Sequence, residues 1–326
     1  MDATRDGQWT SGSVRAGRNR SPGASREKLA AAPASRRLTL LDSTDVFPAG
    51  VDGLGARRVS LGSGVSLRLV EGGPVGGSPV LFIPGWGCSA YSFRSNLPVL
   101  ARAGYRVVAM DLRGHGWSDK PETPQAYTLD TLAADVLATL AALGISRATL
   151  VGLSLGGAIA ARVALRWPAS VERLVLCGAV GLGAVRFVSA ARRLPRALGR
   201  APIRTLPRAL VTLALRTAYG NPAQITPRDV DEYHAPARDP AFHRALWAMV
   251  HEVNWRTLHR SEVRRLRMPV LVIFGARDRI VSPRLVSRII GEAPRARVVM
   301  LEGVGHVSPE EAPDRVNAEL LRFLAS

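Results

Sequence analysis

The chain has 326 residues, 47% of them hydrophobic and 21% charged, enough to bury a large core in one big domain or two modest ones. Two cysteines, Cys88 and Cys177, exclude a disulfide-stapled miniprotein and fit a reducing, cytoplasmic setting, and no stretch approaches the roughly 20 apolar residues that span a bilayer. The net charge of +18 is uneven: residues 1–37 hold eight basic and three acidic residues, residues 184–220 hold eight arginines and no acid, and the remainder is near balance, which argues against a nucleic-acid-binding stripe across the fold.

Residues 1–45 are rich in Arg, Ser, Gly and Ala and show no helical or strand period, so a disordered basic tail is expected there. They contain no apolar core of a signal peptide. Ser35-Arg36-Arg37-Leu38 superficially suggests a twin-arginine signal, but Asp42 and Asp45 follow closely. Residues 46–180 read as the first part of a core. Within them Arg58–Leu61 and Val65–Val70 alternate apolar and polar residues around a Gly-Ser-Gly turn, which predicts a hairpin. Short apolar runs follow at Val80–Ile83, Arg106–Met110, Ala148–Leu153, Leu174–Cys177, Pro269–Phe274 and Arg297–Leu301, as suits strands buried on both faces of a parallel sheet. Helical patterns lie between them, over 129–143, ending at Gly144, and over 156–167, stopping at Pro168. The expected class is therefore α/β, a mostly parallel sheet with helices on both faces. Residues 181–262 break the rhythm, with no strong strand, several prolines and helical stretches at 208–218 and 242–253. They read as an inserted helical lid, and 263–326 as the returning second part of the core.

The strongest motif is Gly152-Leu153-Ser154-Leu155-Gly156, followed by Gly157, directly after a predicted buried strand and directly before a predicted helix. A G-x-S-x-G sequence in that context places serine on a strained turn, with small neighbours admitting the surrounding backbone and helix N–H groups facing a developing negative charge. The bland reading is a glycine-rich turn without chemistry. A serine nucleophile needs a base, and the base needs an orienting acid. Among six histidines only His306, in Gly303-Val304-Gly305-His306-Val307, follows a late strand; His234, His243, His251 and His259 fall in the lid and His115 in an early loop. Asp278 follows the strand Pro269–Phe274 and should sit at the carboxyl edge of the sheet, although its neighbours Arg277 and Arg279 would equally suit a surface salt bridge. Residues 178–183, the other place for an acid, contain none.

These residues, in the order Ser154, Asp278, His306, resemble the α/β-hydrolase fold superfamily over about residues 56–326. Asp111-Leu112-Arg113-Gly114-His115-Gly116-Trp117-Ser118 is similar to the family's D-x-R-G-x-G-x-S loop, which is structural, so His115 receives no catalytic role. The resemblance implies an oxyanion hole made by the backbone N–H groups of Leu155 and Trp86, the latter within Pro84-Gly85-Trp86-Gly87. Pro84 stands where the family commonly has histidine, which puts the bracing of that loop in question rather than the chemistry; Cys88 beside it reads as a bystander. Serine at the elbow separates the chain from the dehalogenase and epoxide-hydrolase branches, which the resemblance associates with aspartate there. A carboxylic-ester hydrolase without cofactor or metal is the expectation. Gly85-Trp86-Gly87 also resembles the oxyanion loop of pimeloyl-carrier-protein methyl esterases, a family whose lids carry arginines. Here Arg186, Arg192, Arg193, Arg196, Arg200, Arg204, Arg208 and Arg216 would meet an acidic carrier protein or an anionic membrane surface, or form only a solvated face. The resemblance equally admits lipases, thioesterases, perhydrolases and carbon–carbon bond hydrolases, and a non-catalytic hydrolase-like binding protein is the reading of another class.

Overall fold

A computed structural model describes residues 45–326 except 184, 201–205, 283–285, 287–289, 292 and 294. The tail expected over 1–45 thus lies outside the described residues, Asp45 apart.

Eight strands form one sheet: β1 (Leu54–Ser60), β2 (Ser66–Gly72), β3 (Pro79–Ile83), β4 (Arg106–Met110), β5 (Ala148–Leu153), β6 (Val171–Cys177), β7 (Val270–Gly275) and β8 (Ala296–Leu301). Their order is β1-β2-β4-β3-β5-β6-β7-β8. The β1–β2 hairpin is antiparallel and β2 meets β4 antiparallel, and every pairing from β4 to β8 is parallel. The first strand begins four residues before the predicted Arg58. It is an edge strand, largely exposed, so it carries no apolar period to announce its start.

The central strands alternate their side chains between two apolar layers, as a two-residue period requires. Leu81, Ile83, Val108, Met110, Leu150, Leu174 and Val270 face one layer, with α2 (Leu129–Ala142) and α3 (Leu155–Arg166) packed over it. Val80, Phe82, Val107, Val151, Val175 and Leu271 face the other, with α1 (Leu97–Arg102) and the C-terminal helix Pro313–Ala325. Burial on both faces explains the continuous apolar runs of β3 to β7; β8, the other edge strand, departs from the expectation and leaves Val298 and Met300 exposed. Phe47 joins the second layer, edge-on to Tyr91 at 5.8 Å between ring centroids, so the packed unit reaches back to that residue.

Between β6 and β7 the described residues form helices: α4 (Arg186–Ala191), α5 (Arg208–Ala218), α6 (Pro227–Ala237), α7 (Pro240–Glu252) and α8 (Arg260–Val263). The helix α6 is polar in composition and contains Pro236, which hides it from pattern reading. A capping box starts it: the Thr226 side chain accepts from the Asp229 N–H while the Asp229 side chain accepts from the Thr226 N–H. After β8 come α9 (Ser308–Glu311) and α10 (Pro313–Ala325). Among the described residues no helix is long and apolar enough to cross a membrane.

The sheet reverses its direction of growth at β3, which lies between β4 and β5. Loops leaving β3 and β5 therefore diverge and open a crevice at the carboxyl edge. The Gly85-Trp86 loop leaves the first of these strands, and Ser154 leaves the second.

Candidate active site

Among the described residues Ser154 is the one non-glycine residue at positive φ, with φ 54° and ψ −115°. Backbone strain of this kind costs on the order of 1–3 kcal/mol and persists only where packing enforces it. The enforcement is visible. The Ser154 N–H donates to the Cys177 carbonyl at 2.9 Å, and the Ser154 carbonyl accepts from the Gly157 and Val180 N–H groups, each at 3.0 Å. The turn leads straight into α3 with almost no room: a Cβ on Gly156 would lie 2.0 Å from the Ile83 carbonyl oxygen, and one on Gly85 would lie 3.1 Å from Ser154 Cβ. The elbow glycine and the β3 loop thus close on the serine from two sides. Leu155 opens α3, so its N–H is one of the first-turn donors that find no partner within a helix.

His306 and Asp278 arrive from the ends of β8 and β7. His306 Nε2 lies 2.8 Å from Ser154 Oγ, and His306 Nδ1 lies 2.8 Å from Asp278 Oδ2. The carboxylate only accepts, which fixes the proton on Nδ1 and leaves Nε2 to accept from the serine hydroxyl. The second Asp278 oxygen accepts from the Ile280 and Val281 N–H groups at 2.8 and 2.9 Å, so Asp278 is held from both ends. Both His306 and Asp278 are buried. Asp278 makes no salt bridge to either flanking arginine among the described residues; its carboxylate accepts instead from His306. The structure therefore brings together the three residues singled out from the sequence, with Trp86 on the loop after β3 and Leu155 at the start of α3 beside them.

The D-x-R-G loop is a brace. One Asp111 oxygen accepts from Ala90 N–H at 2.8 Å and the other from Trp117 N–H at 2.9 Å, while Arg113 grips Asp135 with two hydrogen bonds of 2.6 and 2.7 Å. Burial pushes the His115 ring down to about 4, so it stays neutral. The Pro84 loop is tied instead through its indole: Trp86 Nε1 donates to the Leu246 carbonyl of α7 at 3.2 Å. Cys88 lies on the cavity wall, but burial pushes its thiol up to about 12, with the Glu310 charge adding to the effect. At neutral pH it is a protonated thiol and a poor nucleophile.

A cavity of about 440 Å³ opens beside Ser154 and His306. Its walls are mostly apolar: Val180 and Val185 after β6, Leu210, Val211 and Leu215 of α5, Phe242 and Leu246 of α7, then Trp255 and Ile280. Among the described residues no group of three or more His, Cys, Asp or Glu is arranged to hold a metal ion.

Two acidic residues that sequence reasoning passed over organise this region. Glu311 accepts from Gly220 N–H at 2.7 Å and Asn221 N–H at 3.3 Å on one oxygen, and from Gly305 N–H at 2.9 Å on the other. His306 N–H donates to the Ala218 carbonyl at 2.7 Å. The histidine loop is thereby fastened to the end of α5. Burial pushes the Glu311 carboxyl upward while its three N–H donors pull the other way. Glu310 pairs with Arg94 at 2.9 Å and accepts from Tyr219 OH at 2.9 Å and from Tyr233 OH. Arg94 in turn meets Asp229 of α6 at 2.7 Å. Nothing local marks Ser308-Pro309-Glu310-Glu311 for this role; adjacent acids normally face solvent.

Residues 78–313 match the family model for the alpha/beta hydrolase fold. The dihydrolipoyllysine-residue acetyltransferase component of the acetoin cleaving system of Pseudomonas putida is 33% identical over 79% of this chain, and the match spans 66% of that protein, just under two thirds of its length. Epoxide hydrolase A of Mycobacterium tuberculosis is 29% identical over 80% of this chain and 95% of its own. Among solved structures, a bacterial membrane phospholipase A superposes with a TM-score of 0.72 at 25% identity, covering 84% of this chain and 86% of that one. The strained serine elbow, the late histidine and the strand order agree with the sequence match: the chain belongs to the alpha/beta hydrolase fold family.

Proposed function

We propose that the protein is a serine hydrolase that cleaves carboxylic esters with an apolar acyl group through an acyl-enzyme. The observation that carries this reading is the pair of 2.8 Å contacts linking Ser154 Oγ to His306 and His306 to Asp278, at the wall of an apolar cavity. Ser154 Oγ attacks the ester carbonyl carbon as His306 Nε2 takes its proton. The carbonyl oxygen gains negative charge beside the N–H groups of Leu155 and Trp86. The C–O bond to the alcohol then breaks, and the alcohol leaves with the proton from His306. Water repeats the sequence on the acyl-enzyme and releases the acid. Asp278 keeps the imidazole in the required tautomer throughout. The helices between β6 and β7 act as a lid that selects the acyl group, since α5 and α7 supply much of the cavity wall.

The relatives named above carry different activities in their names, so substrate class rests on the site. A cavity of about 440 Å³ lined by leucine, valine and aromatic side chains favours medium acyl chains over acetate. The test is a p-nitrophenyl ester series from acetate to laurate with purified protein. Turnover peaking above butyrate is expected, Ser154→Ala should lower it by roughly 10⁴–10⁶-fold, and a fluorophosphonate should label the peptide bearing Ser154. Absence of turnover with every ester, together with absence of the adduct, refutes the reading in favour of a non-catalytic binding protein. An adduct on Cys88 refutes the assignment of the nucleophile.

A further inference from the structure

Two described stretches of the helical insert, 192–199 and 206–216, carry exposed side chains to which the chemistry at Ser154 assigns no role. Seven large apolar side chains are exposed among the described residues, and four fall here: Leu194 at 49%, Leu198 at 46%, Leu210 at 50% and Leu213 at 60%. Between them stand the exposed Arg192, Arg193, Arg196, Arg208 and Arg216, with no acid in the stretch. Arg208 pairs with Asp231 at 2.9 Å and Arg196 reaches Glu252 at 3.4 Å. No salt bridge joins Arg192, Arg193 or Arg216 to a carboxylate among the described residues.

A surface helix ordinarily buries one apolar face and turns a polar one outward. The helix α5 buries Val211, Leu215 and Ala218, yet it also turns Leu210 and Leu213 to solvent. Its exposed Leu210, Ala214 and Thr217 also line the cavity, so the mouth runs along this helix. Leu213 and Arg216, one turn apart, stand beside that mouth.

We propose that this leucine- and arginine-bearing surface docks on an anionic lipid surface, and that the ester enters the cavity from the lipid. The entry step rests on the ester-hydrolase reading above; the docking does not. Arginines meet anionic headgroups, and outward leucines enter the boundary between headgroups and acyl chains. An acidic carrier protein would answer the arginines alone. The leucines between them call for a partner that takes up apolar side chains as well.

The experiment is co-sedimentation of the full chain with vesicles of phosphatidylglycerol and phosphatidylcholine in equal parts, and of phosphatidylcholine alone. Binding to the anionic vesicles at low salt, weakened by salt, is expected, with little binding to the neutral ones. The triple variant Arg192→Gln, Arg193→Gln, Arg216→Gln should bind on the order of 100-fold more weakly, about five-fold per arginine. The triple variant Leu194→Gln, Leu198→Gln, Leu213→Gln should lose at least ten-fold. Both should hydrolyse p-nitrophenyl butyrate in solution like wild type, while turnover of a long-chain ester in anionic vesicles falls with binding. If a triple variant does not fold, Arg216→Gln and Leu213→Gln singly carry the same comparison. Wild-type protein that ignores anionic vesicles, or leucine variants that bind them like wild type, overturns the proposal. So does a wild-type chain that binds an acidic acyl carrier protein but no vesicle. Vesicle binding without turnover of any ester in the series and without the fluorophosphonate adduct upholds the docking and refutes the ester-hydrolase reading instead.

Discussion

Replacing Glu311 by Gln tests whether the histidine loop is positioned by the end of α5. Both carboxylate oxygens are acceptors, serving Gly220 and Asn221 on one side and Gly305 on the other. Glutamine offers one oxygen and one NH₂. Whichever way it turns, a donor faces a donor on one side, and a buried N–H loses its partner. A hydrogen bond to a charged group contributes about 1.5–3 kcal/mol, and an orphaned buried donor costs a similar amount. Taking about 2 kcal/mol, and about 2–4 °C per kcal/mol for a unit of this size, the melting temperature should fall by roughly 4–8 °C. The rate should fall further than that loss of stability explains. Gly305 immediately precedes His306, whose Nε2 sits 2.8 Å from Ser154 Oγ, and a misplacement near 1 Å costs on the order of 100-fold. The expected result at 25 °C, well below melting, is kcat for p-nitrophenyl butyrate reduced about 10–100-fold with KM little changed. Val316→Ala, a buried truncation on α10 away from the site, is the control that lowers melting without touching kcat. A Glu311→Gln enzyme that melts early but keeps wild-type kcat would show the carboxylate to be structural only, and one unchanged in both would refute the clamp.

Asp278→Asn should keep the two N–H contacts from Ile280 and Val281 but turn an NH₂ toward His306 Nδ1, favouring the wrong tautomer; kcat should drop about 10⁴-fold with little change in melting, and a rate within ten-fold of wild type would refute the assignment. His115, held neutral down to about pH 4 by burial, takes up its proton near 6.5 once the chain unfolds. The unfolded state therefore binds more protons between these values, and stability falls as pH drops from 6.5 to 4, by about 3 kcal/mol in all. Urea midpoints at pH 7, 5.5 and 4.5 should fall less steeply for His115→Asn than for wild type; parallel curves would show that other groups set the acid limb. Gly156→Ala would bring a Cβ to 2.0 Å from the Ile83 carbonyl oxygen, so a loss of several degrees in melting and of most activity is expected, and a wild-type melting curve would show that the elbow has slack.

The linear sequence by itself determined the strands of the sheet interior, the elbow and the three residues that meet there. Strands buried on both faces need continuous apolar runs, and a strand-to-helix elbow needs its glycines, so both leave local marks at Val80–Ile83, Ala148–Leu153 and Gly152–Gly157. Edge strand β1 and helix α6 left weaker marks, because an exposed strand and a polar helix are specified by their neighbours rather than by their own periodicity. Only the tertiary structure decided that β4 lies outside β3, which opens the crevice between the Gly85-Trp86 loop and Ser154. It also decided that Glu310 and Glu311 are buried, since all their partners but Gly305, among them Arg94, Tyr219, Gly220 and Tyr233, lie some 80 to 220 residues away in the chain. Whether a charge faces solvent or a ring of donors depends on contacts of that range, and no local pattern records them. The helix α5 shows the same limit: only the packed structure divides its leucines, burying Leu215 and leaving Leu210 and Leu213 exposed.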